Sequence, residues 1–431
     1  MRIAGTVSRP VTVMQRQAYD RGQSTELRLA VIAQEIPYPP THGGRVDMWR
    51  RLQAFARAGV RVQLFYWSES PPDAEAQTEI ARITETSCAL SFKQGWSARL
   101  RTASRLLSTP APVSTRLLNG EEQRRVMSSI LDFQPDAIWL DQLYGAGLAM
   151  DLVRKLRAPL LTRSHNVEHR YWHEQLKVAK SNSQQMRIRA RLLSLEHFEE
   201  FVLRKSDRFY DISVDDLRYW QQRGLRNGRW LPPLADDNAI LRPVSAKAPE
   251  FDIGFLGNLF MPNNVEAVTW LLDEVLPRVR RELPRATVLI AGSRASESLR
   301  RRIAADSLIE LRSDVADPVD IYRNASVMVN PMLRGSGVAL KSIDMLAFGR
   351  DLVSTSQGVT GLPPIARECF LIADSADGFA RAIVAQLRGL CRDDFRRHEA
   401  MKMFSDDALR VVIDDLRELA SGGAVPASSL R

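Results

Sequence analysis

Short apolar runs alternate with longer amphipathic stretches through most of this chain, and this alternation constrains its fold more than any other feature. Residues 29–33 and 60–66 have the composition of buried strands, and residues 46–58 repeat with the helical period and end at Gly59. Further strands are predicted over residues 137–140, 159–162 and 208–212. Because strands joined through helices pair in parallel, this half predicts a parallel sheet covered on both faces.

The alternation breaks over residues 231–243, which contain three prolines and two adjacent aspartates, and then resumes. Strands are predicted over residues 252–256, 287–291, 327–330 and 351–354, and helices over 265–282 and 338–348. The expected α/β fold is two doubly wound, parallel-sheet domains of Rossmann type that face a cleft. We assign 1–27 to a flexible extension, 28–235 and 236–394 to the two domains, 395–420 to a helix crossing back to the first domain, and 421–431 to a tail.

Composition and cysteine content are those of a globular protein with reduced thiols. Hydrophobic residues make up 45% of the chain, and no apolar run approaches the ~20 residues needed to cross a bilayer. The first 27 residues lack the compact apolar centre of a cleavable signal. Three cysteines, Cys88, Cys369 and Cys391, form no C-x-x-C pair. These features predict a cytoplasmic protein.

The net charge of +9 is unevenly distributed. Residues 93–116 contain five basic residues and no acidic one, and residues 175–195 are also basic without an acid. Such stretches indicate either an anionic partner or simply a solvated helical surface. Four apolar side chains near one helical face are flanked by three arginines: Trp96, Leu100, Leu106 and Leu107, with Arg99, Arg101 and Arg105. This pattern favours peripheral contact with an anionic membrane, such as the inner face of the plasma membrane, and nothing indicates nucleic acid.

Two glycine-containing loops follow predicted strands and open predicted helices. The first loop ends in Gly43 and Gly44. It follows the carboxyl end of a strand, which is where ligands bind in an open α/β sheet. Glycine N–H groups at a helix start favour an anion, although a simple glycine turn would have the same sequence. The second loop contains Gly335, Ser336 and Gly337.

The second loop adds groups suited to a diphosphate. Arg334 supplies a fixed cation and Ser336 a hydroxyl donor beside the glycine N–H groups. Lys341 and Asp344 lie three residues apart on the following helix, so they share a face. In one interpretation, Lys341 is a cation for the phosphates and Asp344 a carboxylate for the ribose hydroxyls. In the other, the two residues form an exposed ion pair.

These residues also carry a family resemblance. Residues 253–362 resemble the C-terminal domain of glycosyltransferase family 4, retaining enzymes of the GT-B fold, with an atypical Glu/Glu motif. The landmarks are Gly254-Phe255-Leu256-Gly257, Pro262-Asn263-Asn264, Leu289-Ile290-Ala291-Gly292, Val329-Asn330-Pro331, the run from Gly335 to Gly349, and Val353-Ser354-Thr355. The Gly43-Gly44 loop and Ser164-His165-Asn166-Val167-Glu168 resemble the family's first domain.

The resemblance implies a function and roles for individual residues. It implies a hexosyltransferase-like enzyme of polysaccharide or glycoconjugate biosynthesis, moving a sugar with retention from a UDP- or GDP-sugar to a glycan or lipid-linked acceptor, with no required cofactor or metal. His165 would stand beside the transferred sugar, with Arg334 and Lys341 supplying charge. The implied donor-binding set is Gly43, Gly44, Asn258, Asn263, Gly335, Ser336, Gly337 and Asp344.

The chain departs from the family pattern at four of these positions. Ser336 and Asp344 stand where the family has two acidic residues, and Asn258 and Asn263 replace an Arg and a Lys that face the diphosphate. These departures favour an alternative, a non-catalytic GT-B subunit that binds nucleotide or glycan. A more remote alternative is a zinc peptidase, because His165-Asn166-Val167-Glu168-His169 matches H-x-x-E-H and His173 extends it.

Overall fold

A computed structural model describes residues 26–92, 104–105, 107–179, 181–236, 248–313, 315, 317–335, 337–389 and 394–421. Two parallel sheets organise these residues. The seven strands of the first sheet, β1 to β7, are Arg28–Ala33, Arg61–Ser68, Thr86–Ser91, Ala137–Asp141, Leu160–Ser164, Arg208–Asp211 and Gly228–Trp230. The six strands of the second, β8 to β13, are Phe251–Leu256, Val288–Gly292, Ile309–Ser313, Ala325–Asn330, Asp351–Ser354 and Leu371–Ile372.

Helices cover both faces of each sheet. In the first domain, α1 to α8 are Gly43–Arg57, Ala74–Ile83, Ala111–Ser114, Gly120–Phe133, Ala146–Leu156, Glu168–Val178, Asn182–Lys205 and Val214–Gln222. In the second, α9 to α15 are Pro262–Trp270, Leu276–Glu282, Glu297–Ala304, Pro318–Arg323, Leu340–Phe348, Pro364–Arg367 and Ala376–Leu387, and α16 and α17 are Asp394–Lys402 and Arg410–Ser421. A π-helical turn, Leu271–Val275, joins α9 to α10, and 3₁₀ turns span Leu143–Gly145, Gln357–Val359 and Asp406–Leu409.

Both sheets have doubly wound topology, which confirms the predicted fold class. The strand orders are β3-β2-β1-β4-β5-β6-β7 and β10-β9-β8-β11-β12-β13, with every pairing parallel. The order reverses between β1 and β4 in the first sheet and between β8 and β11 in the second. Ligands bind beyond the carboxyl ends of the strands at such points. The loops that follow these four strands therefore define where a site is expected.

Strand β1 shows how the sequence determines the layers. Successive side chains point to opposite faces, so Leu29, Val31 and Ala33 pack with α1, whereas Ala30 and Ile32 pack on the other side. Val31 aligns with Leu64 of β2 and Trp139 of β4. All five side chains of this run are at most 1% exposed. A strand covered on both faces reads as a continuous apolar run, which is why its position could be predicted.

The last helix, α17, contacts the first domain. Val412 and Leu416 are buried in the core that contains Leu29 and α1, and the Tyr210 hydroxyl donates to Asp415 at 2.8 Å. The predicted single helix over 395–420 is wrong in one respect, because the chain turns between α16 and α17. The side chain of Ser405 accepts a hydrogen bond from the Asp407 N–H and so begins a new turn there.

Other differences from the predictions have local causes. Helix α1 begins at Gly43, whereas its start was predicted at residue 46. The low helix propensity of glycine favoured the later start, but the first turn of a helix tolerates glycine. The predicted helix over 265–282 is three segments, with the π-helical turn in the middle. Strands β3, β7, β10 and β13 were not predicted, because the first three carry many half-buried or exposed positions and β13 has two residues.

The predicted membrane-contacting stretch lies largely outside the described residues. Trp96, Arg99, Leu100, Arg101 and Leu106 fall there, whereas Arg105 and Leu107 are described and Leu107 is 82% exposed. Among the helices of the described ranges, none is long and apolar enough to cross a bilayer.

Candidate active site

The two predicted glycine loops face each other across the domains. Gly43 is the first residue of α1, and a β-carbon on it would lie 3.4 Å from Leu340 of α13. The first backbone hydrogen bond of α1 runs from Val46 to His42, so the N–H groups of Gly43 and Gly44 have no acceptor within the helix. Two amides are thus available at the positive end of the helix dipole.

Gly337 brings the second loop against the first domain. Its φ of 65° is in the left-handed region, and a β-carbon there would lie 2.9 Å from the carbonyl oxygen of His165. Both features require glycine at this position. Gly335 packs against Met332, and Ser336 lies outside the described residues. The two loops and His165 therefore meet in one place.

His165 follows β5 directly and is held at both ring nitrogens. Nε2 lies 2.9 Å from Oδ1 of Asp141, and Nδ1 lies 3.1 Å from the amide nitrogen of Gln142. The Gln142 amide donates to Nδ1, so the ring carries its proton on Nε2 and donates it to Asp141. Gln142 has a φ of 63°, and its amide lies 3.5 Å from the position of a β-carbon on Gly44. The Nδ1 edge of the ring thus faces the first glycine loop.

A buried cluster of charged side chains supports His165. Asp47 and Arg51 come from α1, Asp141 from the end of β4 and Arg163 from β5, and all four are at most 2% exposed. Arg163 Nη2 donates to Asp47 Oδ1 at 2.9 Å, and Arg51 donates to both aspartates. Arginine pairs that satisfy both carboxylates make such burial possible.

The arginines set the ionisation of the two carboxylates. Burial by itself raises the pKa of Asp141, but Arg51 and the hydrogen bond from His165 outweigh it and lower the pKa to about 2. The pKa of Asp47 also falls well below its usual range, because Arg163 and Arg51 outweigh its burial. Both carboxylates are therefore anionic at neutral pH. An anionic Asp141 fixes the orientation of the His165 ring.

Lys341 lies in the second domain and is half-buried. Nζ donates to Oδ1 of Asn264 at 2.6 Å and lies 4.7 Å from the ring centroid of Phe255. Burial lowers the pKa of Lys341 to about 7. The spacing of Lys341 and Asp344 allowed an ion pair between them, but this pair does not form.

The remaining predicted residues occupy different surroundings. Asp344 accepts a hydrogen bond from Arg50 of α1 at 3.0 Å, so this contact joins the two domains. Arg334 is mostly exposed at the rim and lies 3.5 Å from Glu266. Asn258 and Asn263 each accept from a nearby backbone amide, those of Phe260 and Asn264 respectively.

The H-x-x-E-H residues do not converge. His165 lies in a loop, whereas Glu168 and His169 lie on α6, and each has its own partners. His169 contacts Glu199 at 2.7 Å and the hydroxyl of Tyr219 at 2.9 Å. Glu168 accepts from Tyr144 and Trp172. Within the described ranges, no group of three or more ligating side chains has the arrangement of a metal site. The zinc peptidase interpretation therefore has no geometric support.

Comparison with protein families identifies the chain. The model of the glycosyl transferase 4-like domain matches residues 11–232, which is more than half of the chain, and that of glycosyl transferases group 1 matches residues 250–388. The chain belongs to the family 4-like glycosyltransferases. This confirms the family resemblance.

One sequence relative and two solved structures are similar to this glycosyltransferase over most of its length. An uncharacterised 44.6 kDa protein in the cps region of Klebsiella pneumoniae is 26% identical over 370 residues, covering 83% of this chain and 90% of the relative. Sucrose-phosphate synthase from Thermosynechococcus elongatus superposes with a TM-score of 0.59 at 16% identity, over 92% of this chain and 100% of that one. HepE from Anabaena, in complex with UDP, gives 0.61 at 10% identity, over 91% and 100%. These structures have the two-domain GT-B fold that was predicted here.

Several residues around the glycosyltransferase cleft were missed from the sequence. Asp47, Asp141, Gln142 and Arg163 surround His165, and Asn264 holds Lys341. A signal was available for Asp141 and Gln142, because they directly follow a predicted strand at the edge where ligands bind. No comparable signal exists for Asp47 and Arg163, which are brought to one cluster only by the packing of α1 on the sheet.

Proposed function

We propose that this glycosyltransferase transfers a sugar, with retention, from a nucleoside-diphosphate donor bound between its two domains. The convergence of the Gly43-Gly44 start of α1, the Gly337 loop and His165 carries the proposal. Free amides on one side of the cleft and Lys341 on the other supply donors and a cation, which a leaving diphosphate requires.

The proposed chemistry takes place on one face of the donor sugar. The bond between the anomeric carbon and the β-phosphate oxygen breaks, the acceptor hydroxyl oxygen bonds to the same carbon, and its proton passes to the departing phosphate oxygen. The enzyme positions both substrates and stabilises the negative charge that grows on the diphosphate. This mechanism requires no enzymatic nucleophile.

Individual residues have distinct proposed roles. Gly43 and Gly44 donate backbone N–H groups to the diphosphate, and Lys341 becomes charged as the diphosphate approaches. His165 presents its Nδ1 edge to the donor sugar, which replaces the Gln142 amide as the partner of Nδ1. Asp141 fixes the orientation of the ring. Arg334 lies at the rim, where it can reach an incoming phosphate. The ribose role implied for Asp344 competes with the Arg50 ion pair and stays a prediction.

The donor proposed is a UDP- or GDP-sugar, and the acceptor a glycan or a lipid-linked saccharide. HepE, which shares the fold, is known in complex with UDP. The relative from a cps region supports a place in polysaccharide or glycoconjugate biosynthesis. The basic stretches 93–116 and 175–195 support peripheral contact with the inner face of an anionic membrane. Equal sedimentation with neutral and anionic liposomes would contradict this membrane contact.

Incubation of the purified protein with a panel of UDP- and GDP-sugars, with and without saccharide acceptors, tests the function. We expect nucleoside diphosphate release from one donor class and a product whose anomeric configuration, read by NMR, matches the donor. Inversion would contradict the mechanism. Stoichiometric nucleotide binding without release from any donor, under conditions where a known transferase turns over, would favour the non-catalytic subunit instead.

A further inference from the structure

A cavity opens on the first domain beside the candidate active site. Its volume is about 520 Å³, within the range of small-ligand sites. Its walls are the segment after β1, the ends of β2 and β3, and residues from the 3₁₀ turn Leu143–Gly145 and α7. We call it the arginine–aromatic pocket after its principal side chains, Trp67, Phe92, Arg116, Tyr144 and Arg191.

Arg116 has an unusual environment in this pocket. Its guanidinium lies 4.9 Å from the ring centroid of Phe92, 5.5 Å from that of Tyr144 and 6.0 Å from that of Trp67. It donates to the carbonyl oxygens of Gln34 and Pro112. Burial lowers the pKa of Arg116 to about 10, so the side chain remains cationic at neutral pH. No carboxylate of the described ranges forms an ion pair with it.

Arg191 brings a second cation to the same ring. Its guanidinium lies 5.8 Å from the centroid of Tyr144 and 4.0 Å from that of Trp172, and it also forms no ion pair with a carboxylate that the structure describes. Two acidic residues line the pocket as well. Glu35 pairs with Arg45 at 2.8 Å, and Glu69 is exposed at the edge. Neither guanidinium near Tyr144 forms a direct ion pair within the described part of the chain, although Glu35 interacts electrostatically with Arg116 and Glu168 with Arg191.

Uncompensated polar atoms accompany these cations. The indole nitrogen of Trp67 and Oε1 of Gln34 are buried, and neither has a hydrogen-bond partner among the residues described. Buried polar atoms without partners are uncommon in folded proteins, and these two lie beneath the pocket surface.

We propose that the arginine–aromatic pocket binds an acceptor saccharide that carries an anionic substituent, a carboxylate or a phosphate. Aromatic rings pack against the C–H faces of a sugar, and two guanidinium groups match the oxygens of such an anion. The pocket adjoins the cleft, because Tyr144 and Gln142 lie in the same short segment and Gln142 contacts His165. The proposal rests on the proposed transferase function, which it deepens by defining the acceptor class.

Ligand-observed NMR titration of the full chain with glucuronate, glucose 6-phosphate, glucose and inorganic phosphate tests the pocket. We expect at least one of the two anionic sugars to bind about tenfold or more tighter than glucose. Arg191→Gln should remove this preference, Arg191→Lys should retain part of it, and Arg189→Gln, an exposed arginine on the same helix, should retain all of it. Whether glucuronate or glucose 6-phosphate binds more tightly identifies the substituent.

Two results would overturn the proposal. One is equal affinity for neutral and anionic sugars, and the other is displacement of the sugars by inorganic phosphate at equal concentration, which would indicate an anion site without sugar recognition. Hydrolysis of the donor without acceptor is measured in parallel and should be the same in Arg189→Gln and wild type. Anionic-sugar binding without any donor turnover would overturn the transferase function and leave the pocket intact.

Discussion

The carbonyl oxygen of His165 lies 2.9 Å from the point where a β-carbon on Gly337 would stand. The glycine loop of the second domain therefore rests directly on the strand end that carries the histidine of the first. A close approach of this kind makes the shape of the cleft sensitive to a single methyl group.

Gly337→Ala should separate the two loops and lower kcat/KM for the donor by about tenfold or more. Gly224→Ala is the matched control, because Gly224 has a φ of 82° and no neighbouring atom within 4 Å of its β-carbon position. Both variants carry the left-handed penalty of ~1–2 kcal/mol, and Gly337→Ala adds the clash with the His165 backbone, so its thermal stability should fall further than that of the control. Equal catalytic losses in the two variants would mean that the contact with His165 is unimportant.

Nucleotide affinity should depend on pH through Lys341. Burial lowers its pKa to about 7, so the free protein loses the ammonium charge as the pH rises through 7. If only the charged form binds the diphosphate, affinity should fall by about tenfold per pH unit above 7 until the pKa of the bound form is reached. Calorimetric titrations between pH 6 and 9 measure this, with Lys341→Met as the control that should lack the dependence. Parallel pH profiles in the two proteins would contradict the assignment.

Asp141 should be essential to the stability of the protein. Asp141→Asn leaves Arg51 without part of its counter-charge in a fully buried position, which costs about 3–5 kcal/mol in comparable cases. The wild-type carboxylate contributes stability above about pH 4, and this is lost as the pH falls through the folded pKa of about 2. Urea unfolding between pH 7 and 2.5 should show a smaller acid loss in the variant. Asp132→Asn, an exposed control on α4, should behave like wild type.

Arg50 and Asp344 should act as one unit. The ion pair joins α1 to α13 at 3.0 Å, and Arg50 also donates to the Leu234 carbonyl oxygen in the segment between the domains. In a double-mutant cycle, Arg50→Met and Asp344→Asn should therefore destabilise the protein non-additively. The ribose role predicts an additional effect, a loss of nucleotide affinity in Asp344→Asn of roughly tenfold that Arg50→Met does not share. Additive stability effects would exclude a functional ion pair.

The sequence could predict nine of the thirteen strands that the structure describes, because buried strands and amphipathic helices have distinct periods. The Gly43 loop and His165 could be placed together because loops at the carboxyl edge of one parallel sheet lie close, whereas the approach of Gly337 from the second sheet was implied only by the family resemblance. Partners of individual side chains could not be predicted. Lys341 and Asp344 share a helix face, yet one points to Asn264 and the other to Arg50, because helix spacing does not specify what packs against the helix.

Donor turnover by wild type, His165→Ala and His197→Ala tests most directly whether this cleft transfers sugars. His197 is an exposed histidine on α7 and serves as the matched control. With the donor found in the nucleotide-sugar panel, we expect His165→Ala to lower kcat by about 100-fold or more and to change nucleotide affinity by less than about threefold, because the proposed partner of His165 is the donor sugar and not the nucleotide. His197→Ala should match wild type. Equal kcat in all three proteins, or no turnover by wild type with any donor, would contradict a glycosyltransferase centred on His165.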